Sequence, residues 1–252
     1  MESDLKKYFR RYLNDAQLIE HRSKILGLQR AISFFFRNNL PALAKIFGSD
    51  KWGDHTYCVH YEKLFSRFKR DQFNLLEIGV GGDSSEIHGG NSLRMWKAYF
   101  PKAQIFGIDI HDKSVQEEKR ISIHQGDQSD RLFLEEIGKK LGSARIIIDD
   151  GSHVGEDIVI SFETLFPYLE NGGVYVVEDV ETAYRGIRQD HRGGLDAPFN
   201  AVNYFKGLIH GLNYREFGNS EFQPSYLDEK ILSLQFIHNM IFVFKGDNSS
   251  TR

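Results

Sequence analysis

The stretch Arg145–His153, R-I-I-I-D-D-G-S-H, sets three consecutive isoleucines against an abrupt run of polar groups. Branched apolar residues in succession fit a strand buried on both faces of a parallel sheet. Open parallel sheets bind their ligands beyond the carboxyl ends of their strands. Asp149, Asp150, Ser152 and His153 therefore arrive together where chemistry would be done. The same residues also suit an Asp-Gly turn with Ser152 capping the next helix. The neighbouring strands have to decide between the two.

Downstream, Val154, Ile158, Phe162, Leu165 and Leu169 follow helical spacing, and Asn171-Gly172-Gly173 is expected to cap that helix. Val174 to Val177 then reads as another buried strand, ending in Glu178-Asp179. A neighbouring parallel strand would thus carry two more carboxylates to the same sheet edge. Upstream, Phe73 to Gly79 is a buried strand running into E77-I-G-V-G-G-D83, where Gly79, Gly81 and Gly82 allow a tight turn and close backbone approach to a ligand. Ser92 to Phe100 is helical, with Leu93, Trp96 and Phe100 on one face. Gln104 to Ile110 is a second strand ending at Asp109, a position suited to ribose hydroxyls. Ile121 to His124 is a short third strand, and Leu134, Ile137 and Leu141 mark the helix before Arg145. Strands alternating with helices at this spacing predict a doubly wound α/β sheet. Ile231 to Ile237 and Met240 to Lys245, around His238-Asn239, predict a closing antiparallel hairpin. Val180 to about Lys230 is irregular and suited to shaping an acceptor pocket.

Residues 1–47 read as a helical extension, a lid or an oligomer contact, before a domain spanning 48–247 and a frayed tail at 248–252. Within the extension a helix is expected from about Asp15 to Phe36, where Leu18, Ile25, Leu28, Ile32 and Phe35 share a face expected to pack on the main domain or on a second copy, and Pro41 breaks or kinks that helix. Gly48 to Tyr57 is a glycine-punctuated loop carrying Lys51, His55 and Tyr57. A formal charge of −3 argues against broad nucleic-acid binding. The single cysteine, Cys58, permits no intrachain disulfide, the first residues are too polar for a signal peptide, and no apolar run approaches a membrane span. The expectation is a soluble cytoplasmic protein.

A glycine turn followed by an acidic second strand fits both a dinucleotide and S-adenosylmethionine. The dinucleotide fingerprint would need a third glycine at position 84, where this chain has Ser84. Tyr226 and Lys230 form a Y-x-x-x-K pair found in one class of nicotinamide reductases, but outside any strong helical pattern.

Taken in order, E77-I-G-V-G-G, G89-G-N-S-L-R-M-W, G107-I-D-I, G126-D-Q-S-D, D149-D-G-S-H and V176-V-E-D-V-E-T-A-Y184 resemble the metal-dependent, S-adenosylmethionine-dependent sugar O-methyltransferases of the macrocin and mycinamicin type. The resemblance covers roughly Gly48 to Asp247 and implies a class I methyltransferase, a Rossmann-like, mostly parallel seven-stranded sheet. It implies that Glu77, Gly79, Gly81 and Ser92 line the cofactor, that Asp109 holds the ribose, and that Asp127 and Gln128 sit at the adenine, with Tyr57 a further candidate. Asp150, Glu178 and Asp179 match the divalent-metal ligands, and His153 matches the general base.

Such residues suit O-methylation. A sugar alcohol is almost wholly protonated at neutral pH, and a bound divalent cation plus a positioned imidazole would activate it. Hard oxygen ligands favour Mg²⁺ or Mn²⁺ over Zn²⁺. Side chains alternate along a strand, so Asp150 is expected at the metal and Asp149 on the cofactor side or orienting His153. Three other readings stand beside this one: a methyltransferase for a catechol-like small molecule, a non-catalytic S-adenosylmethionine-binding accessory protein, and a nicotinamide oxidoreductase.

Overall fold

The computed structural model describes residues 15–185, 193–218 and 221–249. They divide into two compact units, one running to Asp71 and including Gly90–Pro101, the other formed by Gln72–Gly89 and the chain from Lys102 onward.

The second unit is built on a seven-stranded sheet. Its strands are β1 (Asn74–Ile78), β2 (Gln104–Asp109), β3 (Ile121–Gln125), β4 (Ala144–Asp149), β5 (Leu169–Glu178), β6 (Ile231–Ile237) and β7 (Met240–Lys245). They lie in the order β3-β2-β1-β4-β5-β7-β6. The first five pair in parallel, while β7 is antiparallel to β5 and to β6. Ile146, Ile147 and Ile148 are fully buried, as are Val174 to Val177 beside them. Helix Gly155–Leu165 lays Ile158, Phe162 and Leu165 into the core with Ile147, Tyr175 and Val177. Each such side chain contributes about 1.5–3 kcal/mol by leaving water, enough to hold strand ends where the register sets them. Ile78 pairs with Asp149, Asp149 with Val177, and Glu178 with Met240. The ends of β1, β4 and β5 are therefore level.

One expectation fails locally. Asn171-Gly172-Gly173 does not cap the helix, which stops at Leu165. A 3-10 turn, Phe166–Tyr168, follows with Pro167 near its start, and a residue without an N–H cannot continue the α-helical ladder. The glycines instead lie inside β5, where Gly172 takes φ +84° and the register to β4 shifts. The hairpin turn at His238-Asn239 forms as expected, with Asn239 left-handed at φ +61°. Tyr226 and Lys230 lie on a short helix opened by a capping box at Ser225. There the Tyr226 ring packs near Phe166 and Lys230 faces Asp247 at 3.6 Å. Asn248 is buried, its amide donating to Asp228 O at 2.9 Å, and residues 250–252 lie outside the described residues.

In the first unit, helix Asp15–Ser33 is followed by helix Leu40–Phe47, which carries Pro41 in its first turn and is capped by the Asn39 side chain. Tyr61, Phe65, Trp96 and Phe100 form an aromatic cluster, with the Tyr61 and Trp96 ring centres 5.1 Å apart. The face carrying Ile25, Leu28, Ile32 and Phe35 is not packed away: Leu28 is 62% and Phe35 82% exposed. The unit closes its core through Leu40, Leu43, Ala44 and Phe47 on the next helix instead. Leu18 and residues 1–14 lie outside the described side chains.

Candidate active site

The chain leaves β1 and β4 side by side. Asp150 N donates to Ile78 O at 3.0 Å, and Gly79 N donates to Ile108 O at 2.8 Å. A Cβ on Gly79, which holds φ +91°, would stand inside the Asp150 carbonyl. Gly79 is thus required by the approach of two strand ends. Gly81, also left-handed, has nothing within 4 Å of its Cβ position and leaves room for a ligand.

Beyond the strand ends, Asp150, His153 and Asp179 come together, each able to offer one ligand atom within 4.8 Å of the others. His153 Nε2 lies 3.8 Å from Asp179 Oδ2. Both residues are left-handed, at φ +57° and +53°, a conformation that costs a non-glycine residue about 1–2 kcal/mol and concentrates at functional sites. Glu178 is almost fully buried at the end of β5 and is not part of this group of atoms.

Asp149 points into a different set of contacts. Its carboxylate accepts from Gln128 Nε2 at 3.2 Å, from Ser161 Oγ, and from the Tyr175 hydroxyl at 3.3 Å. Burial pushes its pKa up to about 6, against the opposing pull of the Ser161 hydrogen bond, the nearby His153 and the Gln128 amide. The other end of that amide accepts from Ser152 N at 2.6 Å. Gln128 therefore braces the turn between Asp149 and His153 from behind. Ser152 Oγ accepts from Val154 N and donates to Asp157 at 2.8 Å, tying the turn to the first helical residues.

On the other side of β1, Asp109 accepts from Val80 N at 3.0 Å and from His111 N at 2.9 Å, so it also shapes the turn it faces. Glu77 is fully buried on β1. Asp127 accepts from the backbone and hydroxyl of Ser129, each at 2.8 Å. Tyr57 and Ser92 belong to the first unit, where Tyr57 is buried with its ring stacked on His55, centres 4.5 Å apart.

Two residues with structural consequence escape a reading of the sequence. Lys113 is fully buried, and its ammonium donates to Asp83 O at 2.6 Å and Ser85 O at 2.7 Å, pinning the glycine-rich loop after β1. Thr182 Oγ1 reaches His153 O at 3.0 Å and Asp179 O at 2.9 Å. Their partners are backbone carbonyls, which any residue supplies, so no side-chain pattern marks them.

The donor set suits a hard divalent cation. An octahedral Mg²⁺ with ligands at about 2.1 Å holds donors about 3 Å apart when adjacent and about 4.2 Å when opposite. The Asp150, His153 and Asp179 atoms lie within 4.8 Å of one another, a little wider than that cage, and no cysteine stands among them to favour a softer metal. No described helix is long and apolar enough to cross a membrane.

No family model matches the chain. It is 42% identical over 212 residues to the 8-demethyl-8-alpha-L-rhamnosyl tetracenomycin-C 2'-O-methyltransferase of Streptomyces olivaceus, covering 83% of this chain and 55% of that protein. It is 39% identical over 212 residues to the mycinamicin VI 2''-O-methyltransferase of Micromonospora griseorubida, covering 83% and 53%. Among solved structures, the MycE methyltransferase of the mycinamycin biosynthetic pathway, in complex with Mg and SAH, superposes with a TM-score of 0.80 at 39% identity, covering 84% of this chain and 54% of that one. The chain spans about half the length of the relatives it matches. Its sheet with flanking helices is that of a class I methyltransferase.

Proposed function

We propose, for a chain that belongs with the natural-product sugar O-methyltransferases over the residues it shares with them, that it transfers the methyl group of S-adenosylmethionine to a hydroxyl on a sugar unit of a glycosylated natural product, with help from Mg²⁺ or Mn²⁺. The observation that carries this reading is the convergence of Asp150, His153 and Asp179 at the ends of β4 and β5.

The cofactor half is the loop after β1. The open space at Gly81 would admit the amino-acid end of the sulfonium cofactor, Asp109 at the end of β2 would hold its ribose, and Asp127 and Gln128 would sit at its adenine. A bound divalent cation would lower the pKa of the acceptor hydroxyl and orient it. Asp150 and Asp179 would supply anionic oxygens for it, and Glu178, which the resemblance also implies as a ligand, would have to turn from its buried position at the end of β5 to join them. His153 then takes the proton as the hydroxyl oxygen attacks the methyl carbon and the carbon–sulfur bond breaks, leaving a methyl ether, S-adenosylhomocysteine and an imidazolium. Asp179, 3.8 Å from His153 Nε2, stabilises that imidazolium. Asp149 and Gln128 do not meet the substrate in this scheme; they hold the turn that carries Asp150 and His153.

The acceptor is the partner proposed, and a second copy of the chain is another. Self-association through the N-terminal helices is supported by the exposed Leu28, Phe34 and Phe35. The lone cysteine and the use of S-adenosylmethionine support a cytoplasmic site of action.

The test is incubation with methyl-labelled S-adenosylmethionine, Mg²⁺ and a panel of rhamnosyl and olivosyl glycosides, repeated after complete chelation with EDTA. Label is expected in the sugar with metal and not without. Transfer that survives metal removal would falsify the metal reading, and transfer to a catechol but to no glycoside would replace the sugar acceptor.

A further inference from the structure

The turn after β4 presents His153 and the turn after β5 presents Asp179, both in left-handed backbone that does not hold itself. One side chain joins them. Thr182 N already donates to Asp179 O at 3.2 Å, which closes the turn after β5 on itself. The single proton of Thr182 Oγ1 is therefore available to His153 O, 3.0 Å away, while the same oxygen stays within 2.9 Å of Asp179 O. Thr182 Oγ1 is the donor the structure gives His153 O among the described residues.

We infer that Thr182 is a positioning residue: its N–H holds Asp179 O while its hydroxyl donates to His153 O, so one residue ties the turn after β5 to the turn after β4 and fixes the separation of the imidazole and the carboxylate. The inference rests on the proposed metal-assisted reading and adds to it a group that touches neither cation nor acceptor. The physical case is one of geometry. A small change in φ or ψ at either residue displaces the end of its side chain. His153 and Asp179 come from different strand ends, so any drift in either turn changes their spacing directly. A residue bonded to Asp179 O through its N–H and to His153 O through its hydroxyl opposes that drift at its source. It also satisfies a partly buried carbonyl that would be destabilising if left without a donor. The neighbouring Asp149 network braces the β4 turn from the opposite side, through Gln128 and Ser152 N. Thr182 links that turn to the turn after β5.

Outer groups that orient metal ligands typically change affinity 10–100-fold when removed. The test is Mn²⁺ binding to the full chain, followed by electron paramagnetic resonance, for the parent, Thr182→Val, Thr182→Ala and Thr182→Ser, with S-adenosylhomocysteine affinity and thermal midpoint measured alongside. Valine keeps the shape and loses the hydroxyl; serine keeps the hydroxyl and loses the methyl. We expect Mn²⁺ affinity to fall about tenfold or more in the valine and alanine variants and to return to within about twofold of the parent in the serine variant, with S-adenosylhomocysteine affinity unchanged throughout. Valine or alanine variants that bind Mn²⁺ as the parent does overturn the inference. So does a serine variant as weak as the alanine one, because packing would then be responsible. Should valine fail to fold, the alanine and serine pair still decides. A parent that binds no Mn²⁺ overturns the metal reading itself, a result distinct from equal binding by parent and variants.

Discussion

His153 Nε2 and Asp179 Oδ2 stand 3.8 Å apart, although one side chain leaves the turn after β4 and the other the turn after β5. An imidazole held beside a carboxylate is poised to accept a proton and to be stabilised once it has done so. Replacing His153 with Asn should lower kcat by about 10²–10⁴, the usual worth of a positioned general base. S-adenosylhomocysteine affinity and the thermal midpoint should stay near the parent values. Stopped turnover with labelled S-adenosylmethionine measures the first; a variant retaining a tenth or more of parental kcat removes His153 from the base role.

Asp149 and Asp150 are adjacent in sequence and separate in their contacts. Asp150→Ala should weaken Mn²⁺ binding at least tenfold with little loss of stability. Asp149→Ala should do the reverse, costing about 1–3 kcal/mol because Ser161, Gln128 and Tyr175 lose their common partner. Metal titration and denaturant unfolding of both variants check this, and equal loss of metal affinity in the two would sink the division.

Lys113 reaches the cofactor loop through backbone carbonyls alone. Lys113→Met leaves Asp83 O and Ser85 O without their buried donor, a loss of about 1–3 kcal/mol. If loop order is needed for the cofactor, calorimetry should show S-adenosylhomocysteine binding weakened about tenfold, while Mn²⁺ binding by the same variant stays intact.

Gly79 is fixed by a neighbour rather than by a ligand. Gly79→Ala forces a Cβ into the Asp150 carbonyl at φ +91°, so unfolding should come at lower urea by more than about 1–2 kcal/mol. Gly81→Ala has open space at its Cβ and should pay only the backbone cost, showing its main effect in cofactor affinity. Equal destabilisation of the two contradicts the close-approach argument.

Lys245 offers a pH test away from the site. Its ammonium donates to Phe166 O at 2.9 Å and Pro167 O at 2.8 Å, at the end of the helix that follows His153. Burial, with a smaller push from Lys230, lowers its pKa from 10.5 to about 8. Between those values the unfolded chain binds more protons than the folded one, so stability should rise as pH climbs from 8 towards 10. Urea unfolding of the parent and of Lys245→Met between pH 7.5 and 9.5 should show the gap between them widening with pH. A constant gap would show that the lysine keeps its ordinary pKa.

Much of this protein is written in short apolar runs. The isoleucines of β4, the valines of β5 and the glycine turn after β1 need no partner to be recognised, because a strand buried on both faces and a turn at positive φ each admit few residue types. From them follow the parallel order, the sheet edge that bears the acids, and the family resemblance. The adjacency of Asp149 and Asp150 was legible too, and so was the expectation that they diverge. What the sequence could not determine is which contacts each makes. The spacing of His153 and Asp179 depends on two left-handed turns from different strands, and the bonds of Thr182 and Lys113 run to backbone carbonyls that carry no side-chain signature. The Asn-Gly-Gly run misleads for a related reason: glycine permits a helix end and a strand irregularity equally, and only Pro167 and the pairing with β4 select between them. Local chemistry chose the elements; packing of β4 against β1 and β5 chose the distances.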